Sequence, residues 1–171
     1  MIKKETWSMV IGISIIPAIW AVIANHIGVT IAAVSMISAC PYVLAGKNAK
    51  DACSMTLGLL LGIVWARLTF ILMGALTFNP DLVTFLVLVF MVAILIVIDS
   101  FIPKYVDCIA WLCGFAIAIT VLGPCTPDVI NTMSLHLALA MVVGIWCVGY
   151  LGGIIIGACN KAFSKKSEQE Q

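Results

Sequence analysis

Residues 58–70 read "GLLLGIVWARLTF", and the reading of this stretch decides the fold. A single arginine, Arg67, interrupts an otherwise uncharged run from Ala52 to Phe78. A run of that length exceeds the roughly 20 residues that cross a hydrocarbon layer, so it predicts a transmembrane helix. Arg67 then sits where a charge costs at least about 2.5 kcal/mol on insertion scales.

The surrounding chain supports a membrane setting. Of 171 residues, 63% are hydrophobic and 10% charged, and the mean hydropathy of +1.19 lies outside the range of soluble domains. The net charge of +1 comes with no basic stripe, so the chain offers no footprint for nucleic acid.

The lysines fall in four short polar segments: Lys3 and Lys4; Lys47 and Lys50; Lys104; and Lys161, Lys165 and Lys166. The apolar stretches between them divide into six expected spans, at about Trp7–Asn25, Ile27–Gly46, Ala52–Phe78, Leu82–Ser100, Tyr105–Gly123 and Ser134–Asn160. The turns at Asn25-His26, at Asn79-Pro80-Asp81 and at Pro124 to Asn131 carry no Lys or Arg, so the positive-inside rule puts both termini in the cytoplasm. The expected fold class is therefore an all-α, multi-pass membrane protein. It forms one membrane domain over 1–171, with a solvated cytoplasmic tail at 161–171. The apolar run after Lys3 and Lys4 outlasts a secretory signal's core and lacks a cleavage site, so it is taken as the first span.

A weak internal echo suggests duplication. Gly62 and Trp65 in "GLLLGIVW" match Gly144 and Trp146 in "LAMVVGIW" about 82 residues further on, and Pro41 falls near Pro124 under the same shift. The units would be 7–78 and 82–160. Each has an odd number of spans, so the second would be inverted relative to the first, an arrangement common in transporters. Pro41 and Pro124 then either end discontinuous helices beside a solute path or simply end spans at the interface.

At "ACP" (Ala39 to Pro41), "GIVWA" (Gly62 to Ala66) and "SFIP" (Ser100 to Pro103), the chain resembles the bacterial inner-membrane family catalogued as domain of unknown function 1097. The resemblance covers about Trp7 to Cys159 and implies a small multi-span inner-membrane protein. It carries no substrate and no residue roles.

Two stripes of small residues are expected to let helices approach closely. They are Ser54, Gly58, Gly62 and Ala66 on the third helix, and Gly149, Gly153 and Gly157 on the sixth. The two long helices are expected to pack through them, within one protomer or between protomers. A lipid side is expected at Leu57, Leu61, Val64, Leu68, Ile71 and Leu72. Arg67 lies about 140° round from Gly62, on a strip with Thr56 and Gly74 between the stripe and the lipid side. It is either a fixed cation in a solute-filled cavity or a structural arginine satisfied by free carbonyls or a carboxylate.

Asp99 and Asp107 bracket Lys104 and are expected to form a polar cytoplasmic mouth or to act as interfacial anchors. Trp65 and Trp146 would form an apolar constriction or serve as packing residues. His26 and His136 near the outer surface are either acidity sensors or interfacial residues. The seven cysteines show no metal-ligand spacing and the eight methionines are dispersed, so no metal or other cofactor is expected. Neither a nucleophile–base pair, a carboxylate pair nor a phosphate loop is visible, so no enzymatic activity is expected.

Together these residues predict a channel or facilitator for a small polar solute, either a neutral amide or a small anion. Solute-path candidates are Arg67, Thr56, Gly74, Trp65, Trp146, Pro41 and Asp99. The partners expected are the lipid bilayer, the solute and further copies of the chain in a homo-oligomer. The alternative is a structural or accessory membrane protein without transport activity.

Overall fold

The computed structural model describes residues 18–24, 26, 28–45, 48–101, 105–155 and 157. Among them the protein is all-helical, with six helices and no strand. We label them α1 (residues 18–24), α2 (Val34–Ala45), α3 (Ala49–Ala75), α4 (Pro80–Phe101), α5 (Cys108–Leu122) and α6 (Ile130–Ile155). Three of them, α3, α4 and α6, with 27, 22 and 26 residues, are long and apolar enough to cross a membrane. The expected C-terminal tail and Trp7 lie outside the described residues.

Local chemistry sets the boundaries, and it moves several of them from the expected places. Gly28 adopts φ 78°, a left-handed conformation that glycine takes without penalty. This lets the Val29 N–H reach back to Ala24 O at 2.8 Å, closing α1 in the manner of a Schellman cap. The chain then turns through residues 30–33, and α2 begins only at Val34, seven residues later than expected. Asn48 caps α3, its side chain accepting from Lys50 N at 2.9 Å and Asp51 N at 3.1 Å, so the helix starts before Ala52. Asn79 does the same for α4, with Pro80 as the first helical residue. The Asp107 carboxylate caps α5 through Ala110 N at 2.8 Å.

Pro41 is a correction to the sequence reading. It neither breaks nor ends a helix; it is buried inside α2, which continues to Ala45. Helices in apolar surroundings tolerate proline where neighbouring elements cover the interrupted turn, and α6 lies against α2 there. Pro124, by contrast, lies in the turn after α5.

The packing stripes also find partners other than those expected. Gly58 and Gly62 do not meet α6; they meet α5. A Cβ on Gly58 would lie 2.8 Å from Asp107 O and 2.9 Å from Trp111 N. One on Gly62 would run into the backbone of Gly114 and Phe115. Gly114 in turn lies against the backbone of Leu59, so the two helices touch main chain to main chain. Ala66 is buried on the same helix and Ser54 is half-buried.

On α6 the close contacts are made to α2. Gly144 abuts Ser35 O and Ser38 Oγ, and Gly149 lies on the Tyr42 ring. Ser38 Oγ also donates across the crossing to Met141 O at 3.5 Å. Gly153 and Gly157 face open space. The same helix carries a π-helical stretch, Gly144–Leu151, in which the Gly152 N–H bonds Cys147 O, five residues back. Gly144 and Gly149 within it both reach α2, and the expected four-residue stripe does not continue to Gly153 and Gly157.

One core runs through the bundle, with Leu59, Ala66, Leu122, Leu137, Met141 and Ile145 fully enclosed. A smaller cluster of Leu95, Val106 and Trp111 fills the α4–α5 seam.

A polar cleft and two tryptophan bridges

The N-terminus of α3, the C-terminus of α4 and the N-terminus of α5 converge at one end of the bundle. The helix starts carry capping residues and the α4 end carries Asp99, so an apolar chain concentrates its polar groups there. Between them lies a cleft of about 960 Å³, lined by Asn48, Lys50, Asp51, Ser54, Asp99, Asp107 and Cys108 among others. Asp99 and Asp107 thus share one opening, and Asp51 and Lys50 join them. The Cys108 thiol sits beside the Asp99 carboxylate. Asp99 Oδ1 itself is buried and has no hydrogen-bond partner.

Trp65 and Trp146 bridge helices. Trp65 Nε1 donates to Met91 O of α4 at 3.0 Å, and its ring meets Trp111 edge-on at 5.5 Å. Trp146 Nε1 donates to Thr56 Oγ1 of α3 at 3.1 Å, while Thr56 donates to Ala52 O at 2.7 Å. The Trp146 ring packs edge-on against Tyr150, which does the same with Tyr42. Trp65 and Trp146 are therefore each engaged in a separate helix pairing.

Arg67 points outward. It is exposed on the face that carries Val64 (54% exposed) and Ile71 (69%), with no hydrogen bond or ion pair among the described residues. The outward arc of α3 is thus wider than the leucine side predicted, and Gly74 lies on it with nothing within 4 Å of a Cβ position. Of the path candidates, Asp99 lines the cleft, Thr56 and the two tryptophans lie in helix contacts, Pro41 is buried in α2, and Arg67 and Gly74 face out. His26 is exposed, its Nδ1 2.8 Å from Val22 O, and His136 is half-buried on α6. Trp111 is absent from the residues singled out in the sequence; its Nε1 is buried and unpartnered. Among the described residues no group of three His, Cys, Asp or Glu side chains converges to hold a metal ion.

An all-helical bundle with three long apolar helices and a polar cleft at one end has the build of a membrane protein. The chain belongs to the family described as "Protein of unknown function (DUF1097)", whose model matches residues 10–157. No curated protein and no solved structure matches it.

Proposed function

We propose that this protein is a six-span inner-membrane channel or facilitator for a small polar solute, with both termini in the cytoplasm. The observation that carries this reading is the cleft: carboxylates, an amide and a lysine gathered at one end of a bundle that is otherwise apolar. Lipid offers such groups no partners, so they face water or solute.

An inverted 3+3 repeat is part of the proposal. It is supported by reciprocal crossings: the third helix meets the fifth at Gly62, and the sixth meets the second at the equivalent Gly144. A two-fold relation between halves demands that exchange. Arg67 keeps its proposed role as a fixed intramembrane cation in a homo-oligomer, where its outward face would line a space shared between protomers. A second reading, a structural or accessory protein, is favoured by that same outward position, since a long cationic side chain on such a face also serves as an anchor.

Purified protein in liposomes tests the proposal. Stopped-flow light scattering with small amides and carboxylates should show faster entry than into empty vesicles. Equal rates for the whole panel would leave the accessory reading standing.

A further inference from the structure

Arg67 is the chain's single arginine. It is exposed among the exposed side chains of Val64, Leu68 and Ile71, with no hydrogen bond or ion pair among the described residues. A guanidinium is always charged and all its polar hydrogens donate, so an apolar arc offers it nothing to bond.

Its height along α3 names the group that meets it. Lys50 and Asp51 in the first turn line the polar cleft, which marks where the hydrocarbon ends on that side. Arg67 lies sixteen residues beyond Asp51, about 24 Å at 1.5 Å per residue. A hydrocarbon layer about 30 Å thick then leaves about 6 Å above the Arg67 backbone, and a helix tilt of about 20° adds only about 1 Å. A long basic side chain covers such a gap by snorkelling. The anion that a bilayer holds at that height is the lipid phosphate of the leaflet opposite the cleft.

The route is open. A helical Cβ leans toward the helix N-terminus, so a side chain rising the other way needs bare surface over the following turns. Gly74, seven residues on and about 20° round from Arg67, supplies it, with nothing within 4 Å of its Cβ position.

We propose that Arg67 and the bare surface at Gly74 form a binding site for one phospholipid of the leaflet opposite the cleft. Its phosphodiester pairs with the guanidinium, and an acyl chain lies along Leu60 and Val64 toward the bilayer centre. A phosphodiester accepts two parallel N–H bonds from one guanidinium. Phosphatidylglycerol does so without the ammonium that competes within a zwitterionic headgroup. The inference goes beyond the channel reading: it names the partner on the outward face of α3, not the solute in the cleft.

The single arginine makes the test direct. The full chain carrying ¹³Cζ-arginine is reconstituted in vesicles of phosphorus-free glycolipid with phosphatidylglycerol as a minor component, and ¹³C–³¹P dipolar dephasing is measured by solid-state NMR. The guanidinium carbon should find a phosphorus about 4 Å away, as a hydrogen-bonded pair requires. Gly74→Leu, which keeps the charge and fills the surface, should weaken that dephasing. Phosphatidylglycerol retained per chain in native mass spectrometry should fall about fivefold in Arg67→Met, the factor for about 1 kcal/mol per basic residue at a membrane surface. Arg67→Lys should retain most of it. Absence of dephasing, or lipid retention unchanged in Arg67→Met, overturns the site. Equal dephasing by inorganic phosphate in vesicles of glycolipid alone would assign Arg67 to a soluble anion and overturn the lipid.

Discussion

Trp146 reaches from α6 to α3 to place its N–H on Thr56 Oγ1, and the Thr56 hydroxyl in turn donates to Ala52 O. Interhelical bonds of this kind contribute about 0.6 kcal/mol in membranes, with about 1.7 at the upper end. Trp146→Phe and Thr56→Val should each lower unfolding stability by about 1 kcal/mol, and the double variant by little more than either. A denaturant titration run as a double-mutant cycle reads this coupling. Arg67 presents the opposite case. With no bond to lose among the described residues, Arg67→Met should fold and purify like the parent, as thermal melting by circular dichroism would show. Its place within a long apolar helix was legible in the sequence. Its direction was not, because the exposed arc of α3 extends beyond the leucines that mark it. Trp111 escaped notice for a related reason: an indole among apolar residues looks like packing until its N–H is seen to lack an acceptor.

Between helices, the α3–α5 crossing is the tightest place to perturb. Gly62→Ala sets a methyl group into the backbone of Gly114 and Phe115, which cannot rotate away. Such overpacking costs about 1–3 kcal/mol or more, so the variant should lose several degrees of melting temperature or fail to assemble in size-exclusion chromatography. Gly74→Ala and Gly153→Ala, in open space, should match or exceed the parent, since alanine is the better helix former by about 1 kcal/mol. The stripe on α3 was readable as a four-residue period. Its partner was not, because Gly114 is a lone glycine in α5 and the small residues opposite Gly144 are serines. The Pro41 reading failed because sequence treats proline as a helix end, whereas α2 carries it through a buried turn. The starts of α3 and α4 fall earlier than the expected Ala52 and Leu82 because the side chains of Asn48 and Asn79 cap them.

At the scale of the whole molecule, the lysine pattern makes a topological claim that can be read in cells. In a cysteine-free background, a single cysteine at Asn48 should label only after the inner face is opened to a membrane-impermeant maleimide. One at Asn79 or the native Cys125 should label from outside. The opposite pattern would invert the assignment. That the chain carries long apolar helices was legible from hydropathy alone, as α3, α4 and α6 attest; six spans were expected, and these three described helices are long and apolar enough to cross a membrane. The short lengths of α2 and α5, 12 and 15 residues, were not, since the Gly28 turn and the Asp107 cap depend on backbone geometry that hydropathy ignores. The π-helical stretch Gly144–Leu151 has a consequence for how this chain tolerates change in length. A winding with one surplus residue per turn is a reserve of slack. Deleting one residue there tightens the helix to the ordinary pitch, whereas a deletion within Ala49–Ala75 would swing everything beyond it by about 100°. A deletion scan should therefore find its permissive window on α6 at that stretch. There the second half of the chain can be re-phased against the first without being rebuilt.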